Sequence, residues 1–318
     1  MAGVLAGKTA LVTGSTQGIG LSILRALAAA GCSQGAFLAL CFGFGCKKAG
    51  RARARSHRLT WPAAAAAAAD NTPPHPPPPH YAHKTKKVTM HGIGDRDKLE
   101  AARSALASET GAAVHLSTAD LLRPAEVRAM VASGERAMGG RLDVLVCNAG
   151  AQHVAPVQDF PEDKWDALLA VVLSSTFHAT KAAVPGMVAR GWGRLINTGS
   201  MHASVASPYK SAYNAAKHGV AGFTRTVALE LARTGVTCNA ICPGYCLTDL
   251  VRGQLADTAR ARGMAEDEVV ERVLLADQPT RRFVDTADVG ALAVHLCGPH
   301  SSSITGALLA IDGGWTAR

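Results

Sequence analysis

Residues 8–13 (KTALVT) run without a break into Gly14-Ser15-Thr16-Gln17-Gly18-Ile19-Gly20 and then into an alanine-rich segment ending near Ala30. A short apolar strand, a glycine-rich turn and a helix start in direct succession leave few options. The glycines let a ligand approach the backbone closely. The first N–H groups of the helix have no intrahelical acceptors, and they meet that ligand at the positive end of the helix dipole. A phosphate-bearing ligand fits this arrangement, with a plain tight turn as the alternative. The glycine spacing is G-x-x-x-G-x-G, which differs from the G-x-G-x-x-G fingerprint.

The rest of the chain repeats the alternation. Apolar strand-like runs are expected at 87–91, 112–116, 142–147, 193–198, 236–242 and 307–311, and helices at 96–109, 124–138, 161 to about 188, 209–233 and 285–297, with a helical stretch at 247–276. Strands that alternate with helices build a parallel sheet covered on both faces, a doubly wound α/β architecture whose ligands sit at the carboxyl ends of the strands. The glycine turn, Asn148-Ala149-Gly150, Ser200 and Pro243-Gly244 all follow strands, so they are expected along one sheet edge.

Tyr213 and Lys217 stand four residues apart and project from one face of their helix. A phenol with a reference pKa of about 10 is a poor base, but a fixed ammonium beside it favours the phenolate. Tyr213 then becomes a proton carrier. Ser200, just past a buried strand, is positioned to hold a carbonyl or carbinol oxygen. Taken alone, Y-x-x-x-K also describes a solvated helix face. Its convergence with the other strand-end motifs favours the chemical reading.

Residues 33–87 break the pattern with Arg-Ala repeats, seven consecutive alanines at 63–69 and a polyproline tract at 73–79. Polyproline cannot enter a sheet and polyalanine carries no polar/apolar period, so this is expected to be a largely disordered insertion. It could be a basic tether, a metal tract through His75, His80 and His83, or a surface insertion without a role. Its nine Lys/Arg and single acid account for most of the net charge of +9, because 24 basic and 23 acidic residues remain elsewhere. Nucleic acid is therefore not an expected partner. The eight cysteines contain no C-x-x-C, and Cys238, Cys242 and Cys246 read as reduced, partly buried thiols rather than metal ligands. The longest apolar run, residues 35–46, is too short to span a bilayer, and no secretory leader is evident, so a cytoplasmic protein without a membrane segment is expected.

TGSTQGIG, NAG, Ser200, YNAAK, PG and DGG together resemble the short-chain dehydrogenase/reductase family over nearly the whole chain outside the insertion. The resemblance implies one Rossmann-like catalytic domain formed by 1–32 and 88–318. Gly14, Thr16, Gly18, Ile19 and Gly20 would bind the cofactor pyrophosphate side. Asp120 and Leu121 would border the adenine, and Asn148, Gly150, Pro243 and Gly244 the rest of the cofactor, with Thr248 at the carboxamide. Tyr213 would take the alcohol proton, Ser200 orient the oxygen, and Lys217 lower the tyrosine pKa and hold the nicotinamide ribose. QHVAP at 152–156, SPYKSAY at 207–213, RRF at 281–283 and GGWTA at 313–317 are similar to the D-3-hydroxybutyrate dehydrogenase branch. This implies NAD-dependent, reversible oxidation of a small 3-hydroxy acid to a keto acid, with Gln152, His202, Lys210 and Gln254 around the carboxylate, Trp315 as an apolar wall, and a homotetramer. No arginine or lysine at 90–94 awaits a 2′-phosphate, in keeping with NAD. Two positions depart from the branch: Tyr245 replaces a tryptophan, and Val172 replaces an asparagine of the proton relay. The alternatives are a reductase of another small ketone or 3-oxoacyl thioester, and a weakened binding protein acting through the basic insertion.

Overall fold

Seven parallel strands, β1 (Thr9–Val12), β2 (Lys87–His91), β3 (Ala113–Ser117), β4 (Val144–Cys147), β5 (Gly193–Thr198), β6 (Val236–Pro243) and β7 (Leu308–Ile311), form one sheet in the order β3-β2-β1-β4-β5-β6-β7. The computed structural model describes residues 3–31 and 87–317. The expected insertion at 33–87, apart from Lys87 in β2, lies outside the described residues, as do its histidines. Strand order reverses at β1, whose Leu11 stands opposite Thr89 on one side and Leu145 on the other. A crevice opens at the carboxyl ends of the strands at such a switch point.

The two-residue period of each strand divides the core between the two faces of the sheet. Ala10, Val12, Val144, Val146 and Ile196 pack with Ile23 and Leu24 of α1 (Gly18–Ala30) and with Val289 and Ala293 of a late helix, Thr286–Cys297. Leu11, Leu145 and Leu195 point the other way, onto Val127 and Val131 of the helix Pro124–Ala137 and Ala183 and Met187 of the helix Ser175–Ala189. In chain order the helices are α1, α2 (Arg96–Thr110), α3 (Pro124–Ala137), α4 (Glu162–Leu169), α5 (Ser175–Ala189), α6 (Ser211–Glu230), α7 (Asp249–Arg252), α8 (Leu255–Arg262), α9 (Glu266–Val269) and α10 (Thr286–Cys297).

Three expected helices differ in ways that matter for the site. The long helix at 161–188 is divided by a π turn, Ala170–Ser174, between α4 and α5. Ser175 and Thr176 donate their hydroxyls to the carbonyls of Val171 and Val172, at 2.6 and 2.9 Å, where the ladder is disturbed. The combined run Glu162–Ala189 is long and apolar enough to cross a membrane; here it packs within the domain against α3, α6, β4 and β5. Helix α6 starts at Ser211 rather than Tyr209, because Tyr209 has φ +67°, a left-handed conformation that cannot propagate a right-handed helix. The stretch 247–276 is broken into α7, α8, α9 and a second π turn, Val270–Leu274, with the left-handed Gly263 closing α8.

At the opposite, amino-terminal edge of the sheet, Asp143 is fully buried. It accepts the Thr9 backbone N–H at 3.0 Å and two nitrogens of Arg141 at 2.8 and 2.6 Å. Asp143→Ala should lower stability by about 2 kcal/mol, chiefly because it strands the buried Thr9 amide, while the partly exposed Arg141 can turn to water. Chemical denaturation should detect that loss, and the turnover of the folded fraction should stay unchanged.

Candidate active site

The first turn of α1 has no side-chain cap: Gln17 at its N-cap is extended and makes no capping bond. Its free amides open into a cavity of about 640 Å³ bordered by Gly14, Thr16, Gly18, Ile19 and Gly20. Gly20 is a required glycine, because a β-carbon there would collide with the Gly14 carbonyl and the Asn148 amide. Asp120, Leu121, Asn148 and Gly150 border the same space, and Thr248 closes it toward a second pocket. A bare helix amino end, a glycine floor and room for a long ligand fit a dinucleotide. At the end of β2, His91 bridges two loops: its Nδ1 accepts the Gly14 N–H at 3.1 Å, and its Nε2–H donates to Ala119 O at 2.9 Å. Burial lowers the His91 pKa, and both nitrogens are used, so it presents no charge to the cavity. No lysine or arginine borders this cavity among the described residues.

The second pocket, about 110 Å³, contains Ser200, Tyr213 and Lys217 together with Pro243 and Gly244. Each side chain is delivered by a different element. Ser200 follows β5 through Gly199, whose N–H donates to Ile241 O at 2.7 Å, while Tyr213 and Lys217 come from the first two turns of α6. Lys217 Nζ donates to Thr198 O at 2.6 Å and lies 5.5 Å from the Tyr213 ring centroid. Burial pulls the Lys217 pKa down to about 8. The expected sensitising of Tyr213 by Lys217 is corrected here: burial pushes the phenol up to about 12, against the lowering effect of its hydrogen bond with Ser200. Desolvation of the phenolate outweighs the local polar contacts.

Gln152, His202, Lys210 and Gln254 line this same pocket. Gln152 Oε1 accepts the His153 N–H at 3.1 Å, leaving its amide donors available, and Gln254 Nε2 donates to Leu250 O at 2.8 Å. His202 is 1% exposed, and neither ring nitrogen has a well-formed hydrogen bond. Burial, with Lys210 adding to it, drives its pKa down to about 3, so it is a neutral hydrogen-bonding group. Lys210, 5% exposed, forms no ion pair among the described residues. Burial first and Arg262 second lower its pKa to about 8. Trp315 requires correction: it packs behind the pocket, edge-on to His202 at 6.1 Å and tilted on Tyr245 at 5.7 Å, and borders a separate cavity. It supports the wall from behind.

Val172 lies in the π turn, buried in an apolar cluster with Leu168, Ala212, Ala216 and Val220, against which Tyr213 packs. Sequence reasoning did not assign three further groups to the site: Thr198, whose carbonyl holds Lys217; Cys246, which lines the pocket; and the hydroxyl of Tyr245, which accepts Lys210 Nζ at 2.8 Å. Only Tyr245 left a signal, as a departure next to Pro243-Gly244. The five described cysteines are buried free thiols.

A family model described as Enoyl-(Acyl carrier protein) reductase matches residues 80–316. A D-beta-hydroxybutyrate dehydrogenase of Rhizobium meliloti (strain 1021) is 40% identical over 311 residues, which is 98% of this chain and 99% of that protein. One from Cupriavidus necator is 39% identical over 316 residues, covering 99% and 100% of the two chains. Among solved structures, an actinorhodin polyketide ketoreductase with NADPH superposes with a TM-score of 0.77 at 27% identity, each chain covered completely. With the sheet order, the glycine turn and the Ser200, Tyr213 and Lys217 cluster, these matches make the chain an oxidoreductase that belongs to the short-chain dehydrogenase/reductase family.

Proposed function

We propose that this enzyme interconverts D-3-hydroxybutyrate and acetoacetate with NAD(H). The observation that carries this reading is Lys210, a buried ammonium with no carboxylate partner among the described residues, in the same small pocket as Ser200 and Tyr213. A buried cation held only by neutral groups is a receptor for an anion. The hydroxy acid would place its carboxylate on Lys210, with His202 and the Gln152 amide as hydrogen-bonding neighbours and Gln254 at the same wall. Its hydroxyl would then face Ser200 and Tyr213. The names of the two long relatives support the same substrate.

Gly14, Thr16, Gly18, Ile19, Gly20, Asp120, Leu121, Asn148, Gly150 and Thr248 would hold the dinucleotide, which when bound supplies the hydride acceptor. Absence of a described lysine or arginine around its cavity favours NAD over a 2′-phosphorylated cofactor. Ser200 holds the substrate oxygen and keeps the Tyr213 hydroxyl directed at it. Tyr213 takes the hydroxyl proton in oxidation and returns it in reduction. Its high pKa suits the second role well, and the first needs the cation of Lys217 to offset the charge that develops on the phenol. The Val172 side chain can take no part in proton transfer, so on this side Lys217, held in place by the Thr198 carbonyl, is the group left to pass the proton on. We also propose a homotetramer, which the family resemblance implies.

With NAD, the D enantiomer of 3-hydroxybutyrate should generate NADH absorbance and the L enantiomer should not. Lys210→Ala should reduce kcat/KM about 10–100-fold, the range for one charged hydrogen bond. A thioester reductase would be indifferent to that change. The affinity of a small carboxylate such as butyrate should be full below pH 8 and weaken about tenfold per pH unit above it as Lys210 loses its proton. In Lys210→Arg, which stays charged, that limb should vanish from a calorimetric titration. Val172→Asn should raise kcat by restoring a polar relay group, at a stability cost of about 1–3 kcal/mol for a polar side chain in an apolar cluster. An unchanged kcat would show that the relay does not use this position.

A further inference from the structure

Tyr245 directly follows the Pro243-Gly244 turn, and its backbone is pinned on both sides. Its N–H donates to Gln278 Oε1 at 3.2 Å, and its carbonyl accepts the Val284 N–H at 2.8 Å. Gln278 is fully buried and is itself held by the Arg282 carbonyl. The ring rests on Trp315 and is 7% exposed, so the hydroxyl has a fixed position. That hydroxyl accepts from Lys210 Nζ at 2.8 Å. Both residues face the pocket of Ser200 and Tyr213, and both also wall the cavity on the far side, where Arg262, Asp277 and Thr258 lie.

A phenol that accepts from an ammonium still has its own proton to give. Burial pushes the Tyr245 pKa up to about 12, so the hydroxyl keeps that proton throughout the working range. Two donors, an N–H and an O–H, are thus held side by side at a separation suited to the two oxygens of one carboxylate. An indole at this position could not accept from Lys210, because its ring nitrogen only donates.

We propose that Tyr245 is a specificity-determining residue of this pocket: its phenol accepts one N–H of Lys210 and gives its O–H to the second oxygen of the carboxylate that Lys210 holds. This rests on the hydroxy-acid reading above and adds to it a preference for free carboxylates over esters and thioesters, which carry no charge and offer no second strong acceptor oxygen.

The test compares wild type with Tyr245→Phe, with NAD saturating, on D-3-hydroxybutyrate and on its methyl ester. The variant should raise KM for the acid about tenfold, leave kcat within about twofold, and leave kcat/KM for the ester unchanged. Equal losses for acid and ester, or an unchanged KM for the acid, would overturn the proposal. Calorimetry of butyrate binding to the NADH-loaded enzyme separates this from failure of the substrate reading. If no hydroxy acid is oxidised but butyrate binds about tenfold more weakly to Tyr245→Phe, the clamp stands and the substrate assignment falls. Should Tyr245→Phe fail to fold, Tyr245→Trp retains the ring bulk against Trp315. Butyrate binding to that variant as tight as to wild type would overturn the proposal.

Discussion

The side chain of Asn148 ties together three strand ends at the point where the sheet reverses its order. Its Nδ2 donates to the carbonyls of Thr13 and Gly14, each at 3.0 Å, and its Oδ1 accepts the Thr198 hydroxyl at 3.2 Å. Thr13 Oγ1 returns the tie by accepting the N–H groups of Asn148 and Ala149 at 2.9 and 3.0 Å. The glycine turn after β1 is therefore locked to the ends of β4 and β5. The carbonyl that holds Lys217 belongs to the same Thr198. One amide thus sets the distance between the dinucleotide cavity and the pocket containing the proton-carrying phenol, a distance on which hydride transfer depends steeply.

Against that rigid edge, the pocket keeps two ammonium groups and a neutral imidazole out of water. Each lysine has a neutral partner: a carbonyl for Lys217 and a phenol for Lys210. Neutral partners cannot repay the full hydration of a charge, which is why both pKa values fall to about 8. The apolar layers on the two sheet faces offset this cost. The pocket is left with positive charge already desolvated and oriented, a condition that favours an anionic substrate and the charge that develops during proton transfer. His202, whose ring nitrogens lack well-formed hydrogen bonds, belongs to the same unfinished polarity.

Helix α6 shows how local irregularity sets the site. Tyr209, in the left-handed region, turns the chain so that Lys210 sits at the N-cap and reaches into the pocket, while Tyr213 and Lys217 follow on the first two turns. The π turn opposite places Val172 in the apolar cluster against which Tyr213 packs. Neither feature has a strong sequence signature. A positive φ at a tyrosine has no propensity to announce it, and a π turn arises from hydroxyl back-bonding and the packing of neighbouring helices.

The alternation of strand and helix, the glycine turn and the four-residue spacing of Tyr213 and Lys217 were legible in the chain alone, because they depend on periods of two and 3.6 residues and on the backbone freedom of glycine. Those local rules identified the parallel sheet, the edge that carries the site, and the glycine turn, Ser200, Tyr213 and Lys217 along it, whereas Gln152, His202, Lys210 and Gln254 were named only through the family resemblance. The electrostatic balance was decided only by the tertiary structure. Whether Lys217 or burial governs the Tyr213 phenol depends on how much water reaches it, and that follows from the packing of α4 and the π turn Ala170–Ser174 against α6. Trp315 likewise reads as a pocket wall in sequence but stands behind His202 and Tyr245, and Tyr245 meets Lys210 across 35 residues of chain. Contacts between groups so distant in sequence, and the desolvation that sets their charge, are properties of the assembled fold, where no local period records them.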